Sequence, residues 1–126
     1  MLRSDPRPLP WWLLASLLGI SVAAPAFGQR TYWPVSVDSL ATGKVLRTHV
    51  EVTGLVTLVR HESDGDTHIK LVGKTGFVVL EIAPGCPLTA IPSVGQHIRA
   101  YGITRWDGEH HWAELHILEK WEPAPP

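Results

Sequence analysis

The groups able to do chemistry in this chain are carboxylates and imidazoles that recur in stretches far apart. DGDTHIK supplies Asp64, Asp66 and His68, VVLEI supplies Glu81, and HHWAELH supplies Trp112, Glu114 and His116. Imidazole nitrogens and carboxylate oxygens together are the ligand set of zinc and related divalent cations, at about 2.0–2.2 Å. Read as a strand, the last stretch sends alternate side chains to opposite faces. Ala113, Leu115 and Ile117 then face a core, while Trp112, Glu114 and His116 stand in a row on the other side. The i, i+2 spacing of Glu114 and His116 lets both reach one ion. His68, Glu81, Glu114 and His116 are therefore the expected metal ligands, with Asp64 and Asp66 as further candidates. A plainer reading stands beside this one: any solvated strand turns polar residues outward, and both histidines then simply bond to neighbouring carboxylates.

These residues meet only if the elements that carry them are neighbours. In THVEVTGLVTLVRH, Val50, Val52, Val56 and Leu58 share one phase and Glu51, Thr53 and Thr57 the other, the pattern of a long β-branched strand. Gly54 marks a bend within it. ESDGD is a turn, with Gly65 free to take positive φ. The second strand, THIKLV, points Ile69 and Leu71 inward and His68 and Lys70 outward. FVVLEI, the third, sets Val78, Leu80 and Ile82 against Phe77, Val79 and Glu81. CPLTAIPSVGQ is a proline-interrupted connection. HIRAYGITRW is a fourth strand with an internal glycine, WDGEH a second turn, and HHWAELHILEK the fifth strand. Residues 29–46 have no clear period and are expected to be an irregular lead-in; residues 123–126 are a proline-rich tail that does not extend a sheet.

A chain of 126 residues is enough for one domain. Arg3 and Arg7, then an uncharged run from Trp11 to Ala24, then Ala26-Phe27-Gly28 follow the order of a secretory signal peptide over residues 1–28. The competing reading is a retained anchor, because Leu9 to Phe27 approaches the roughly 20 apolar residues that span a bilayer. A periplasmic or secreted location is expected, with membrane contact only if that segment stays. Setting aside Arg3, Arg7 and Asp5 leaves nine Lys and Arg against eleven Asp and Glu, a formal charge of −2. Affinity for nucleic acid comes largely from neutralising phosphates, so the missing basic excess makes it the less favoured partner. A small polar ligand, a glycan or an envelope protein is favoured. Cys86 is the sole cysteine, so no internal disulfide forms.

Five short strands, with glycines inside the first and fourth and a long connection between the third and fourth, outline a Greek-key barrel over residues 47–122. Through VEVTGLV, DGDTHIKL, VVLEI, VGQHIRAYGI and WDGEHHWAELH, the region after residue 28 resembles small exported bacterial OB-fold proteins. That resemblance implies an all-β, five-stranded OB-fold barrel with strands ordered one, two, three, five, four and back to one. Strands two, three and five then adjoin, and ligands lie across their outer face between the loops HESDGD and WDGEHH. His68, Lys70, Phe77, Glu81, Trp112, Glu114 and His116 become one ligand-binding patch. Trp112 and Phe77 offer a stacking platform for bases or sugar rings, worth about 1–3 kcal/mol per base; a plainer role for Trp112 is to cover the barrel rim. The expected function is a non-catalytic binding module for a small or oligomeric polar ligand, with a zinc-like divalent cation as cofactor. The alternatives are a single-stranded nucleic-acid-binding protein and a metal-assisted hydrolase. Exported staphylococcal-type nucleases share such a barrel but set arginines beside their carboxylates, and no such pairing is expected at Glu81 or Glu114.

Overall fold

A computed structural model describes residues 29–88 and 90–126; the expected signal peptide, residues 1–28, lies outside the described residues. Along the chain run β1 (Trp33–Ser36), α1 (Val37–Ala41), β2 (His49–His61), β3 (Thr67–Val72), β4 (Phe77–Ile82), β5 (His97–Asp107) and β6 (Trp112–Pro123). The five strands read from the sequence are β2 to β6. They pair in the order β2-β3-β4-β6-β5, and β2 also pairs with β5. The result is a closed all-β barrel with the OB topology that the resemblance implied. Among the described residues, no helix is long and apolar enough to cross a membrane.

Closure depends on β2 serving two partners. His49 to Leu55 lies antiparallel to β5, and Leu55 to His61 antiparallel to β3. A strand shared in this way must coil, and Gly54 sits at the changeover: a Cβ there would fall 2.7 Å from the Val72 carbonyl oxygen. Gly102 in β5 is tighter still, with Ile117 O only 2.5 Å from where a Cβ would be. Inside the barrel Val50, Val52, Val56, Ile69, Leu71, Val78, Leu80, Ile98, Leu115 and Leu118 are all at 0–1% exposure. Each contributes about 1.5–3 kcal/mol by leaving water.

Two bulges decide which side chains face out. In β2 the ladder to β3 steps from Val56↔Leu71 to Leu58↔Lys70, leaving Thr57 as an extra residue. A bulge reverses the phase beyond it. Leu58, expected in the core beside Val56, therefore joins Lys70 on the outer face and is 45% exposed. Arg60 follows it outward, opposite His68. In β6 the ladder to β5 jumps from Gly102↔Leu118 to Thr104↔Leu115. Leu118 thus takes the core position expected of Ile117, which is exposed.

Residues 29–46, expected to be irregular, instead contain β1 and α1. β1 runs parallel to β2, from Trp33↔Val50 to Ser36↔Thr53. Ser36 caps α1 by accepting the Ser39 N–H at 3.0 Å, and the helix buries Val37 and Leu40. Asp38 Oδ1 accepts the backbone N–H of Thr75 (3.0 Å) and of Gly76 (2.9 Å), in the turn between β3 and β4. Those hydrogen bonds hold its carboxyl below the usual range. Ahead of β1, Arg30 and Tyr32 both donate to the Glu119 carboxylate of β6. Burial, and then that hydrogen bond, push the Tyr32 phenol up to about 12. The proline-rich end also differs from expectation: Glu122 and Pro123 still pair with Arg99 and Ile98, and Ala124 N–H donates to His97 O at 3.0 Å.

The contact at Gly102 yields a test of closure. Gly102→Ala forces the new methyl against the Ile117 carbonyl oxygen and is expected to cost about 1–3 kcal/mol, read as a lower urea midpoint with unchanged slope. Gly108→Ala, where nothing lies within 4 Å, is expected to change little.

Candidate functional site

The site is built by register. His68 of β3 is paired directly with Glu81 of β4 in their antiparallel ladder. The short parallel contact of β4 with β6 aligns Val79 with Glu114 and Leu80 with Leu115. One step further the same alignment brings Glu81 to His116. Glu81 is the hub: its Oε1 is 3.0 Å from His116 Nδ1 and its Oε2 is 3.9 Å from His68 Nε2. Glu81, Glu114 and His116 offer donor atoms that all lie within 4.8 Å of one another, and Asp66, His68 and Glu81 do the same. The four expected ligands and Asp66 are therefore brought together. Asp64 belongs to neither group; its Oδ1 accepts the Asp66 N–H at 3.0 Å and shapes the turn.

An exposed wall was the expectation, and burial is the finding. Glu81 and Glu114 have the outward strand phase yet are only 7% and 1% exposed. Side chains cover Glu114: Trp112 Nε1–H donates to its Oε1 at 2.7 Å, and the Arg105 guanidinium lies 3.0 Å from its Oε2. This arginine corrects the sequence reading, which placed none beside Glu114; it arrives through the pairing Arg105↔Glu114 across β5 and β6. Burial raises the Glu114 carboxyl above the usual range; the Trp112 hydrogen bond and Arg105 oppose that shift, and the charges of Glu81 and Asp107 add to it. Asp66 is raised as well, by burial first and then by Glu81 and Asp64. Glu114 Oε2, His116 Nδ1 and His68 Nδ1 are buried without an aligned hydrogen-bond partner. Charge is close by in each case, but the directional bond is missing.

Beside the cluster a hollow of about 130 Å³ is lined by Leu58, Arg60, His68, Lys70, Phe77 and Trp112. Lys70 Nζ sits 4.2 Å from the centre of the Phe77 ring. Trp112 meets Phe77 edge-on at 6.3 Å and His68 at 6.2 Å. His110 stacks flat on Trp112, with ring centres 4.5 Å apart and planes 7° from parallel. A larger hollow of about 630 Å³ lies by α1, β2 and the turn between β3 and β4, but none of the clustered ligands lines it. His68 lines the smaller hollow, and His116 lines a third, of about 500 Å³, with Cys86, Ile103 and Glu119; the aromatic pair Phe77 and Trp112 belongs to the smaller one.

Residue order placed Glu62, Asp107 and His110 only within the flanking loops HESDGD and WDGEHH, and brought none of Leu58, Arg60 and Arg105 to the site. Leu58 and Arg60 turn outward only because of the β2 bulge. Glu62 then reaches both Arg60 Nε (2.5 Å) and His68 Nδ1 (3.3 Å). Asp107 carried a further signal, as an aspartate opening a turn before Gly108: its Oδ1 accepts the N–H of Glu109 (2.8 Å) and of His110 (3.2 Å).

No protein-family model matches the chain, and no curated protein matches it in sequence. In three dimensions it is similar to a protein from Leishmania major Friedlin assigned as an aspartyl-tRNA synthetase, with a TM-score of 0.57 at 14% identity, over 80% of this chain and 23% of that one. It is similar also to the Stn1–Ten1 complex of S. pombe (TM-score 0.53, 12% identity, 77% of this chain and 80% of that one). A third likeness is to the aspartyl-tRNA synthetase of Entamoeba histolytica (TM-score 0.52, 12% identity, 83% and 24%). The chain spans about a quarter of the length of either synthetase chain. At these identities the likeness shows the OB fold alone.

The pair of Asp107 and His110 makes the platform sensitive to pH. Their side chains meet at 2.6 Å, Oδ2 to Nδ1. The hydrogen bond to Asp107 raises the His110 ring above its usual 6.5, against a smaller effect of burial, with Glu109 and Glu114 assisting. Burial works to raise Asp107, but hydrogen bonds from the His110 ring and from the backbone N–H of His110 and Glu109 outweigh it and hold the carboxyl at about 2. The pair's stabilisation is full between the unfolded values of 3.8 and 6.5. It is lost as pH rises through the raised His110 value, and as pH falls through about 2. In an NMR titration the His110 ring is expected to show a midpoint above 6.5, and Asp107→Asn to lower it; a midpoint unmoved by Asp107→Asn contradicts the pairing.

Proposed function

We propose that this is an exported OB-fold binding module that takes a polar ligand on the face of β3, β4 and β6 and holds a divalent cation, of the zinc type, at Glu81, Glu114 and His116. The observation that carries the reading is the burial of two carboxylates against an imidazole, with donor atoms within 4.8 Å of one another. Buried carboxylates that repel each other gain when a cation arrives, because unpaired buried charge is costly and Glu114 Oε2 otherwise lacks an aligned partner. His, Glu and Glu is a ligand set that zinc accepts, and a fourth position stays open to water or ligand. Support for a ligand beside the cation comes from the hollow over Lys70, Phe77 and Trp112, where an aromatic floor adjoins the cationic ends of Arg60 and Lys70. A sugar ring or a small anion fits that chemistry, whether free, on a glycan or on an envelope protein. Export is supported by the order of Arg3 and Arg7, the uncharged run and Ala26-Phe27-Gly28.

A second reading, single-stranded nucleic acid, draws on the same aromatic floor and on the likeness in fold to two proteins whose names place them on tRNA. Against it stand the crowded carboxylates of Asp66, Glu81 and Glu114, which repel phosphate.

Zinc at a hundredfold excess over its dissociation constant stabilises a folded protein by about 2.7 kcal/mol, which for a domain of this size raises the melting temperature by roughly ten degrees or more. His116→Ala is expected to remove most of that rise; an equal rise in the variant, or none in the natural chain, counts against the cation. For the second reading, an oligonucleotide should bind at low salt and be released steeply as salt increases, with Trp112→Ala weakening it by about 1–3 kcal/mol. No binding at low salt eliminates nucleic acid.

A further inference from the structure

Glu81 is in contact with two separate sets of ligands, and a single cation uses only one of them. We infer that Glu81 bridges two divalent cations, one held by Glu114 and His116 and the other by Asp66 and His68, so that the site is dinuclear. The inference rests on the cation reading above and deepens it.

The geometry carries it in three steps. First, the two oxygens of Glu81 face different imidazoles: Oε1 is 3.0 Å from His116 Nδ1, whereas Oε2 is 3.9 Å from His68 Nε2. Ligand atoms about 2.0–2.2 Å from a common ion are separated by about 3.0–3.5 Å, so the first pair is already at chelating distance and the second closes with a small rotation of either side chain. Paired ions in such sites lie about 3.5–4 Å apart, a spacing that one carboxylate spans with an oxygen on each. Second, a carboxylate stands behind the histidine of the second set, close by but not yet aligned for a hydrogen bond. With Nε2 turned to Glu81, His68 Nδ1 lies 3.3 Å from Glu62 Oε1, and Glu62 is itself held by Arg60. A carboxylate behind the far nitrogen of a metal-ligating histidine is the usual means of fixing its tautomer and ring orientation. Third, Glu114 is almost wholly buried and its Oε2 has no aligned hydrogen bond, although Arg105 is 3.0 Å away. A buried oxygen without a directional partner is open to a metal ion as ligand.

Charge agrees with the count of ions. Asp66, Glu81 and Glu114, with Glu62 and Asp107 adjoining, are paired among the described residues with the guanidiniums of Arg60 and Arg105 alone of the lysines and arginines. A single divalent ion at Glu114 and His116 leaves Asp66 pressed against Glu81 with no cation between them; a second relieves that contact. Open positions on the two ions point the site toward an oxyanion held across both, next to Trp112.

The test measures the number of ions, with metal alone as the probe. Full-length protein equilibrated with zinc is expected to hold two ions per chain, and Asp66→Asn one. In the natural chain loaded with manganese, the paramagnetic resonance spectrum is expected to show spin coupling between neighbouring ions, which Asp66→Asn abolishes. One ion per chain, unchanged by Asp66→Asn, overturns the bridge and leaves the single-cation reading intact. Two ions without coupling also overturn it, because the second then sits elsewhere. No bound ion removes both readings together. The spectrum of the natural chain decides the matter even if Asp66→Asn fails to fold.

Discussion

The parallel contact between β4 and β6 is only two residue pairs long, Val79 with Glu114 and Leu80 with Leu115, and the barrel cannot close without it. Everything chemical follows from its alignment. Parallel strands hydrogen-bond through slanted, evenly spaced bonds, and residues on the same face of adjoining strands stand close together. With Leu80 and Leu115 fixed in the interior by their burial, Glu81 and His116 have no choice but to meet on the other side. The antiparallel ladder on the opposite edge of β4 does the same for His68. A hydrophobic register thus positions a polar site, and apolar packing supplies the energy that holds repelling carboxylates together.

That repulsion is what distinguishes the cluster from ordinary surface ion pairs. Exposed pairs gain little because water screens them and long side chains must be immobilised. Glu114, at 1% exposure, has lost most of its water, and the raised carboxyl is the direct expression of that loss. Arg105 offsets part of the charge but is itself half exposed and poorly aligned. Trp112 contributes twice: its Nε1–H satisfies one Glu114 oxygen, and its ring lines the hollow beside the cluster. An aromatic that both shields a carboxylate and lines a hollow couples the cluster to whatever lies in that hollow.

Much of this was readable from residue order. Alternation located the strands, the turns fell at ESDGD and WDGEH, and the convergence of His68, Glu81, Glu114 and His116 followed from the strand order that the resemblance implied. What escaped reading shares one cause, dependence on partners distant in the chain. The bulges at Thr57 and before Leu118 are set by the strands opposite, so period-two counting put Leu58 and Ile117 on the wrong faces. β1 has too few residues for a pattern and exists by pairing with β2, while the five-residue α1 is held by Asp38 and by burial of Val37 and Leu40. Depth escaped too: a carboxylate in outward phase is ordinarily wet, and only the neighbouring side chains reveal that Glu81 and Glu114 are not. In the second turn, the left-handed residue is His111 (φ 59°) and not Gly108, because the Asp107 hydrogen bonds shift where the chain reverses.

The clasp made by Asp38 lies at the closed end of the β3–β4 hairpin, while His68 and Glu81 occupy its open end. Sliding one strand past the other would have to tear that clasp, so alignment is guarded from a place that takes no part in the chemistry. Side chains at the mouth are therefore free to be exchanged for others without asking the scaffold to find its pairing again. A barrel fastened from below in this manner is a mount on which different recognition surfaces can be set.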